Sequence, residues 1–195
     1  MAGAEINDGV VQDANERGEK LLPGDFLLWI EREHAEEGPG VSEELFRAYE
    51  EALSAQRASF EPGELRSSLE ETLVDSESWV NDDAVYALGN GRISTFPAAW
   101  HDRLRDSGDL REYVAVIEDA TIDDEIATGG RGPGVPEGLL LDAASVIGGI
   151  DREVAKERLE RHRDDGALIQ DADQHPDARV YLGEEVRDMR DPWLE

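Results

Sequence analysis

Residues 135–182, VPEGLLLDAASVIGGIDREVAKERLERHRDDGALIQDADQHPDARVYL, decide how this chain is read. The run predicts a helix that opens at Val135-Pro136 and continues to about Ile147, where Gly148-Gly149 breaks it. Asp151 can cap a second helix, because its carboxylate can accept the free backbone N–H groups of a first turn. That helix ends near Asp165-Gly166. Ala167-Leu168-Ile169 and Val180-Tyr181-Leu182 are apolar runs of strand length, with Asp171 to Arg179 as a polar loop between them. Helix, turn, helix, strand, loop, strand is the order of a winged helix. Such a unit points to binding of nucleic acid or protein rather than to catalysis.

The rest of the composition bounds that reading. A chain of 195 residues with 39% hydrophobic content has enough apolar material for one core or two small ones. The net charge is −28, which ordinarily repels nucleic acid. The bases tell more than their sum, because Lys20 and Lys156 are the only lysines and every other base is arginine. A surface crowded with carboxylates and nearly free of lysine resembles proteins of salt-in halophilic archaea. At 1 M ionic strength the Debye length is about 3 Å, so the self-repulsion is largely screened and the charge describes the solvent more than the partner. Without cysteine there are no disulfides or thiolate metal sites. No apolar run approaches the roughly 20 residues of a membrane span, and Met1 to Glu19 does not read as a signal peptide. The expectation is a cytoplasmic protein with no membrane partner.

Outward from the central stretch, the fold class expected is mainly α with small β-hairpins (α+β). Residues 1–22 are polar and read as a flexible N-terminus. Residues 23–106 read as a helical domain with a β-hairpin. Its helices are Asp25 to Glu37, a second behind Ser42, and a third from about Pro62 to Val74 with Leu65, Leu69 and Leu73 on one stripe. Trp79-Val80 and Val85-Tyr86-Ala87-Leu88 look like strands. Gly89-Asn90-Gly91 is a tight-turn signal, and Arg92 to Phe96 is the returning strand. A short helix follows Pro97. Residues 109–183 form the winged-helix domain, beginning with a helix from Asp109 to about Ile126. Gly129 to Gly134 is read as a flexible link and 184–195 as a charged tail, with Trp193-Leu194 as a docking point.

A weak internal echo favours two winged helices in tandem. Leu65, Leu69, Trp79-Val80 and Val85-Tyr86-Ala87-Leu88 run parallel to Ala155, Leu159, Leu168-Ile169 and Val180-Tyr181-Leu182. Chance recurrence of a helix and hairpin is the competing reading, and both stay open.

Several residues carry a family resemblance. Leu110 to Glu118 makes a first helix, Gly134-Val135-Pro136 leads to a helix with Leu140, Ala143 and Ala144, Ile150 to Glu153 starts a third, and Asp165 to Ile169 enters the wing. Residues 110–182 in this way resemble the C-terminal winged-helix domain of archaeal MCM replicative helicases. The resemblance implies the fold and a link to DNA metabolism. It does not extend to a helicase, for the chain has no Gly-x-x-x-x-Gly-Lys-Ser/Thr loop. Where that family pattern has an apolar core residue, this chain has His162, which the helical wheel places with Ala155 and Leu159 as a half-buried ring.

A recognition helix needs donors on its exposed face. Arg152, Lys156 and Arg163 share a stripe, and Arg161 lies round the helix near Val154. Together with Arg92, beside the Gly89-Asn90-Gly91 turn, they are the candidate contacts to double-stranded DNA. The competing reading is a solvated face, since Glu153, Glu157 and Glu160 are interleaved and could form intrahelical ion pairs. Asp171, Asp173, His175 and Asp177 alternate along the loop as oxygen ligands of a hard cation would, but an acidic loop in an acidic protein has the same pattern. His34 and His101 lack zinc-site spacing, and no Gly-x-Ser-x-Gly elbow is present. No cofactor, metal or catalytic residue is therefore expected. The sequence predicts a DNA-binding winged-helix protein of a halophilic archaeon, regulatory or replication-associated. The alternative is a tandem winged-helix adaptor that docks a protein partner in DNA metabolism. Such an arrangement would resemble chromosome-segregation accessory proteins of the ScpB type, although their sequence signatures are missing.

Overall fold

The computed structural model describes residues 6–34, 38–56, 63–105, 107–122, 134–171 and 178–184. It is an α+β structure of two compact units, Met1–Ala99 and Trp100–Glu195. The division falls earlier than the expected one near residue 107. The helix α5 (Ala98–Leu104) buries Trp100 and Leu104, so apolar anchors lie past the boundary. Among the described residues no helix is long and apolar enough to cross a membrane.

Among the described residues the first unit begins with a helix at Asp8, within the stretch expected to be flexible. In α1 (Asp8–Arg17) the side chain of Asn7 accepts the N–H of Gly9, and Val10, Val11 and Ala14 form a buried stripe. The expectation of a flexible 1–22 missed this short stripe, whose helix packs against α3 (Glu43–Gln56) and α2 (Pro23–Glu33). Between those helices lies β1 (Val41–Ser42). Next come α4 (Glu64–Thr72), β2 (Leu73–Val74), β3 (Val85–Gly89) and β4 (Arg92–Ser94). The sheet order is β1-β4-β3-β2, with β3 and β4 antiparallel around Asn90, whose φ is +53°, and Gly91. Trp79-Val80 is not a strand. Trp79 stacks on Tyr86 and Phe96, and the N–H of Val80 donates to the Tyr86 hydroxyl at 2.7 Å, so side chains replace a ladder there. Leu73-Val74, expected to end the third helix, supplies the outer strand instead.

The second unit continues from α5 with α6 (Leu110–Ile122), β5 (Val135–Pro136), α7 (Glu137–Gly148), α8 (Arg152–Asp164), β6 (Leu168–Gln170) and β7 (Arg179–Leu182). Its sheet order is β5-β7-β6. Val135-Pro136 is a strand rather than the start of a helix. Val135 pairs with Val180, and Pro136 is tolerated because β5 is an edge strand. Tyr113, Val114, Leu140, Ala144, Ala155 and Leu159 fill the core. The Tyr113 hydroxyl donates to the carbonyls of Leu104 and Ser107, and Gly148 leaves the space for it, since a Cβ there would lie 2.3 Å from that oxygen.

The two units repeat one frame in matching register. The sequence Gly-Pro-Gly-Val occurs at Gly38-Pro39-Gly40-Val41 and again at Gly132-Pro133-Gly134-Val135, each followed one residue later by Glu43 or Glu137. Val41 pairs with Ile93 and Ser42 with Arg92, as Val135 pairs with Val180 and Pro136 with Arg179. The N–H of Glu43 donates to the Gly91 carbonyl, and that of Glu137 to the Ala178 carbonyl, both at 2.9 Å. The counterpart of β7 is therefore β4. The echo that aligned Val85 to Leu88 with Val180 to Leu182 was one strand out of step.

Both glycines before the first strand are required. Gly40 and Gly134 have φ of +67° and +91°, and a Cβ would meet the Ile93 carbonyl oxygen at 2.4 Å or the Tyr181 ring at 2.5 Å. Gly134, read as part of a link, belongs to this frame. Residues 129–133, the cation-loop candidates Asp173, His175 and Asp177, and Trp193-Leu194 lie outside the described residues.

Candidate functional site

In the second unit α8 lies against α7 with the β6–β7 hairpin after it. Asp151 caps α8 by accepting the N–H groups of Glu153 and Val154 at 2.9 and 3.2 Å. Ala155 and Leu159 face the core, which sends the charged positions outward. This is the environment in which the expected DNA contacts must be judged.

Most of the helix's cations have protein acceptors. Arg152 Nε donates to Asp142 Oδ1 at 2.9 Å, and Lys156 Nζ to Glu137 Oε1 at 2.5 Å. Gln170 Nε2 donates to the other oxygen of Glu137, so one carboxylate ties α7, α8 and β6 together. These bonds are interhelical, unlike the intrahelical pairs that the interleaved glutamates suggested. Arg158, which the sequence reading passed over, donates through Nη1 to the Gly108 carbonyl at 2.9 Å. Arg163 is half-buried and engaged as well. Arg161 is exposed. His162 is half-buried as expected, with Nε2 3.8 Å from Asp109 and Nδ1 3.8 Å from Asp165.

Arg92 is also bound up in the fold. Its Nε donates to the Pro39 carbonyl and its Nη2 to the Gly40 carbonyl, both at 2.6 Å. It holds the turn before β1 and does not project from the hairpin tip as a free donor. Arg179 does the same in the second unit, donating to the Gly134 carbonyl at 2.7 Å. An arginine opening the last strand and a glycine turn opening the first are the signal that would have revealed this clamp in the sequence.

The counterpart of α8 in the first unit is α4. Leu65 and Leu69 take the core positions of Ala155 and Leu159, and Arg66 takes that of Lys156. The first turn of α4 has no side-chain cap of its own. Glu50, 2% exposed on α3, supplies one by accepting the N–H of Arg66 at 3.2 Å. The exposed face of α4 carries Glu64, Glu70 and Glu71 against the single base Arg66. Beside α4 a small cleft is lined by Glu43 and Phe46 of α3, Arg66, Leu69 and Glu70 of α4, Leu73 of β2, Val85 of β3 and Ile93 of β4.

Two other ionisable groups, half-buried Glu31 and buried His101, are structural. Glu31 on α2 accepts the N–H and hydroxyl of Thr95 on one oxygen, while its other oxygen is buried without a hydrogen bond. Burial pushes its carboxyl up to about 7, against the downward pull of Ser94, Thr95 and Arg92. His101 is buried, and desolvation together with Arg105 pushes it down to about 4. It is a neutral ring at neutral pH. Comparison of the chain with protein-family models, with curated proteins and with solved structures finds no match.

Proposed function

We propose that the chain is a tandem winged-helix adaptor that binds protein rather than reading duplex DNA. Each unit contains the order helix, strand, helix, helix, strand, strand, with α1 and the two-residue β2 added in the first and α5 ahead of it in the second, and in each the first strand pairs with the last. That order supports a winged helix in each. The observation that carries the choice of partner is the engagement of Arg152, Lys156 and Arg158 by acceptors within the protein. A helix in this condition would have to break its own fold contacts to reach phosphates. The helix α4 is acidic, so it offers no alternative DNA face. In molar salt the affinity gained from released counterions is also small. The acid-rich, lysine-poor composition fits a salt-in archaeal cytoplasm. The resemblance of residues 110–182 to the MCM winged helix favours a partner among proteins of DNA metabolism, in a regulatory or replication-associated setting.

Labelled duplex DNA titrated in molar KCl and again in dilute buffer tests the proposal. Wild type and the double variant Arg161→Glu, Arg163→Glu should bind alike, without saturation at either salt. Saturable binding that the double variant abolishes would establish the DNA-binding reading instead.

A further inference from the structure

The cleft beside α4 and its counterpart beside α8 occupy the same place in the shared frame, but the second is lined mainly by polar groups, Lys156, Glu160, Arg163, Asp164 and Gln170, while the first is mainly apolar. In the second unit the carboxylate of Glu137 receives Lys156 and Gln170, so a polar network spans the space between helix and hairpin. In the first unit the matching carboxylate, Glu43, is exposed and lines the cleft. The residue in the place of Lys156, Arg66, turns along its own helix to Glu70 at 3.8 Å. The residue in the place of Arg163 is Leu73, which is 40% exposed. Phe46, Leu69, Val85 and Ile93 form its buried floor, Leu73 is its exposed apolar wall, and the volume is about 70 Å³.

We propose that this cleft takes a segment of a partner protein that lays one apolar side chain beside Leu73 and Phe46 and brings a lysine or arginine to Glu43. The inference rests on the adaptor reading. Charge complementarity selects the occupant, because Glu43 and Glu70 line the cleft, Arg66 is the one base among its lining residues, and Arg66 pairs with Glu70. The second unit shows which group such a carboxylate receives in this frame, namely an ammonium with its stem against the helix. The partner completes in trans what Lys156 completes in cis. An acidic or uncharged segment would leave Glu43 without a counterpart.

A display library of random linear peptides, panned on the full chain in molar KCl, provides the probe. Enriched peptides should share a large apolar residue with Lys or Arg close by in sequence. A synthetic enriched peptide should lose about tenfold or more in affinity to Leu73→Asp and to Glu43→Lys, as expected for a central contact. Replacing the basic residue of the peptide by Glu should restore binding to Glu43→Lys, a result that a merely unfolded variant cannot give. Circular dichroism on each variant confirms the fold. Peptides that bind but ignore both substitutions would overturn the cleft while leaving the adaptor reading intact. Enrichment of acidic peptides, or no enrichment, would overturn it too. So would a dimer in sedimentation that Leu73→Asp dissolves, since a second copy would then be the occupant. Saturable DNA binding by α8 would instead strike the adaptor reading.

Discussion

In the first unit Arg92 gathers the carbonyls of Gly38, Pro39 and Gly40, while in the second Arg179 reaches the carbonyl of Gly134. The frame is the same, but the polar groups around it differ. The first unit buries Glu50 and one carboxylate oxygen of Glu31 and has a mainly apolar cleft beside α4. The second keeps Asp151 at a helix end in solvent and lines the matching space with polar groups, with Lys156 and Gln170 held by Glu137. Backbone pairing and glycine turns can thus be held constant while the faces next to them diverge. A duplicated frame does not imply a duplicated binding surface.

Four measurements would break or sharpen this contrast, each read by hydrogen exchange resolved to the separate units of the full chain. The largest effect is expected at the glycines. Gly40→Ala places a Cβ 2.4 Å from a backbone oxygen, whereas Gly134→Ala meets a tyrosine ring that can shift. Left-handed strain adds to both, so we expect a loss of about 4 kcal/mol in the first unit and about 2 kcal/mol in the second. Equal losses would mean that the ring is as fixed as the backbone.

The next effect depends on pH. Glu31 has its carboxyl raised from 4.5 to about 7, so the folded state holds this proton more tightly than the unfolded state. Its contribution is fully present below about pH 4.5 and is lost as pH rises toward 7, by about 3 kcal/mol in total. Protection of the first unit should show this decline, and Glu31→Gln should flatten it without touching the second unit. A decline that survives the substitution would assign it to another group.

Helix caps come third. Glu50→Ala should cost the first unit about 2 kcal/mol, because a buried group is lost along with the bond to α4. Asp151→Ala, at an exposed cap, should cost the second unit about 1 kcal/mol. Smallest is the pair of bases. Lys156→Met should weaken the second unit by about 0.5–1 kcal/mol, since its partner Glu137 is mostly covered. Arg66→Met, which loses only an exposed pair, should cost about 0.3 kcal/mol or less. A larger loss at Arg66 would mean that it stabilises the cleft in a way the ion pair does not reveal.

Much of the frame was legible along the chain. The spacing of Leu65 and Leu69, the break at Gly148-Gly149, the cap at Asp151 and the turn at Gly89-Asn90-Gly91 are local signals, and local signals survive in sequence. The two-residue strands β1 and β5 were not legible, because a period cannot be read from two residues. The helix α1 was missed for a related reason: its apolar stripe is only Val10, Val11 and Ala14, and the packing of α3 makes it a helix. The basic stripe of α8 was visible as spacing, but the acceptors that occupy it, Asp142 and Glu137, sit on another helix.

The sequence by itself determined the acidic, cysteine-free character of the chain, the positions of its longer helices and the tight turn at Gly89-Asn90-Gly91, since each depends on composition or on neighbours close along the backbone. The tertiary structure alone decided which arginines are spent on carbonyls, which strand of the first unit answers β7, which glycines meet distant groups, and which of two equivalent carboxylates receives a lysine of its own unit. Those outcomes depend on groups tens of residues apart meeting at hydrogen-bond distance, and residue spacing does not encode that distance.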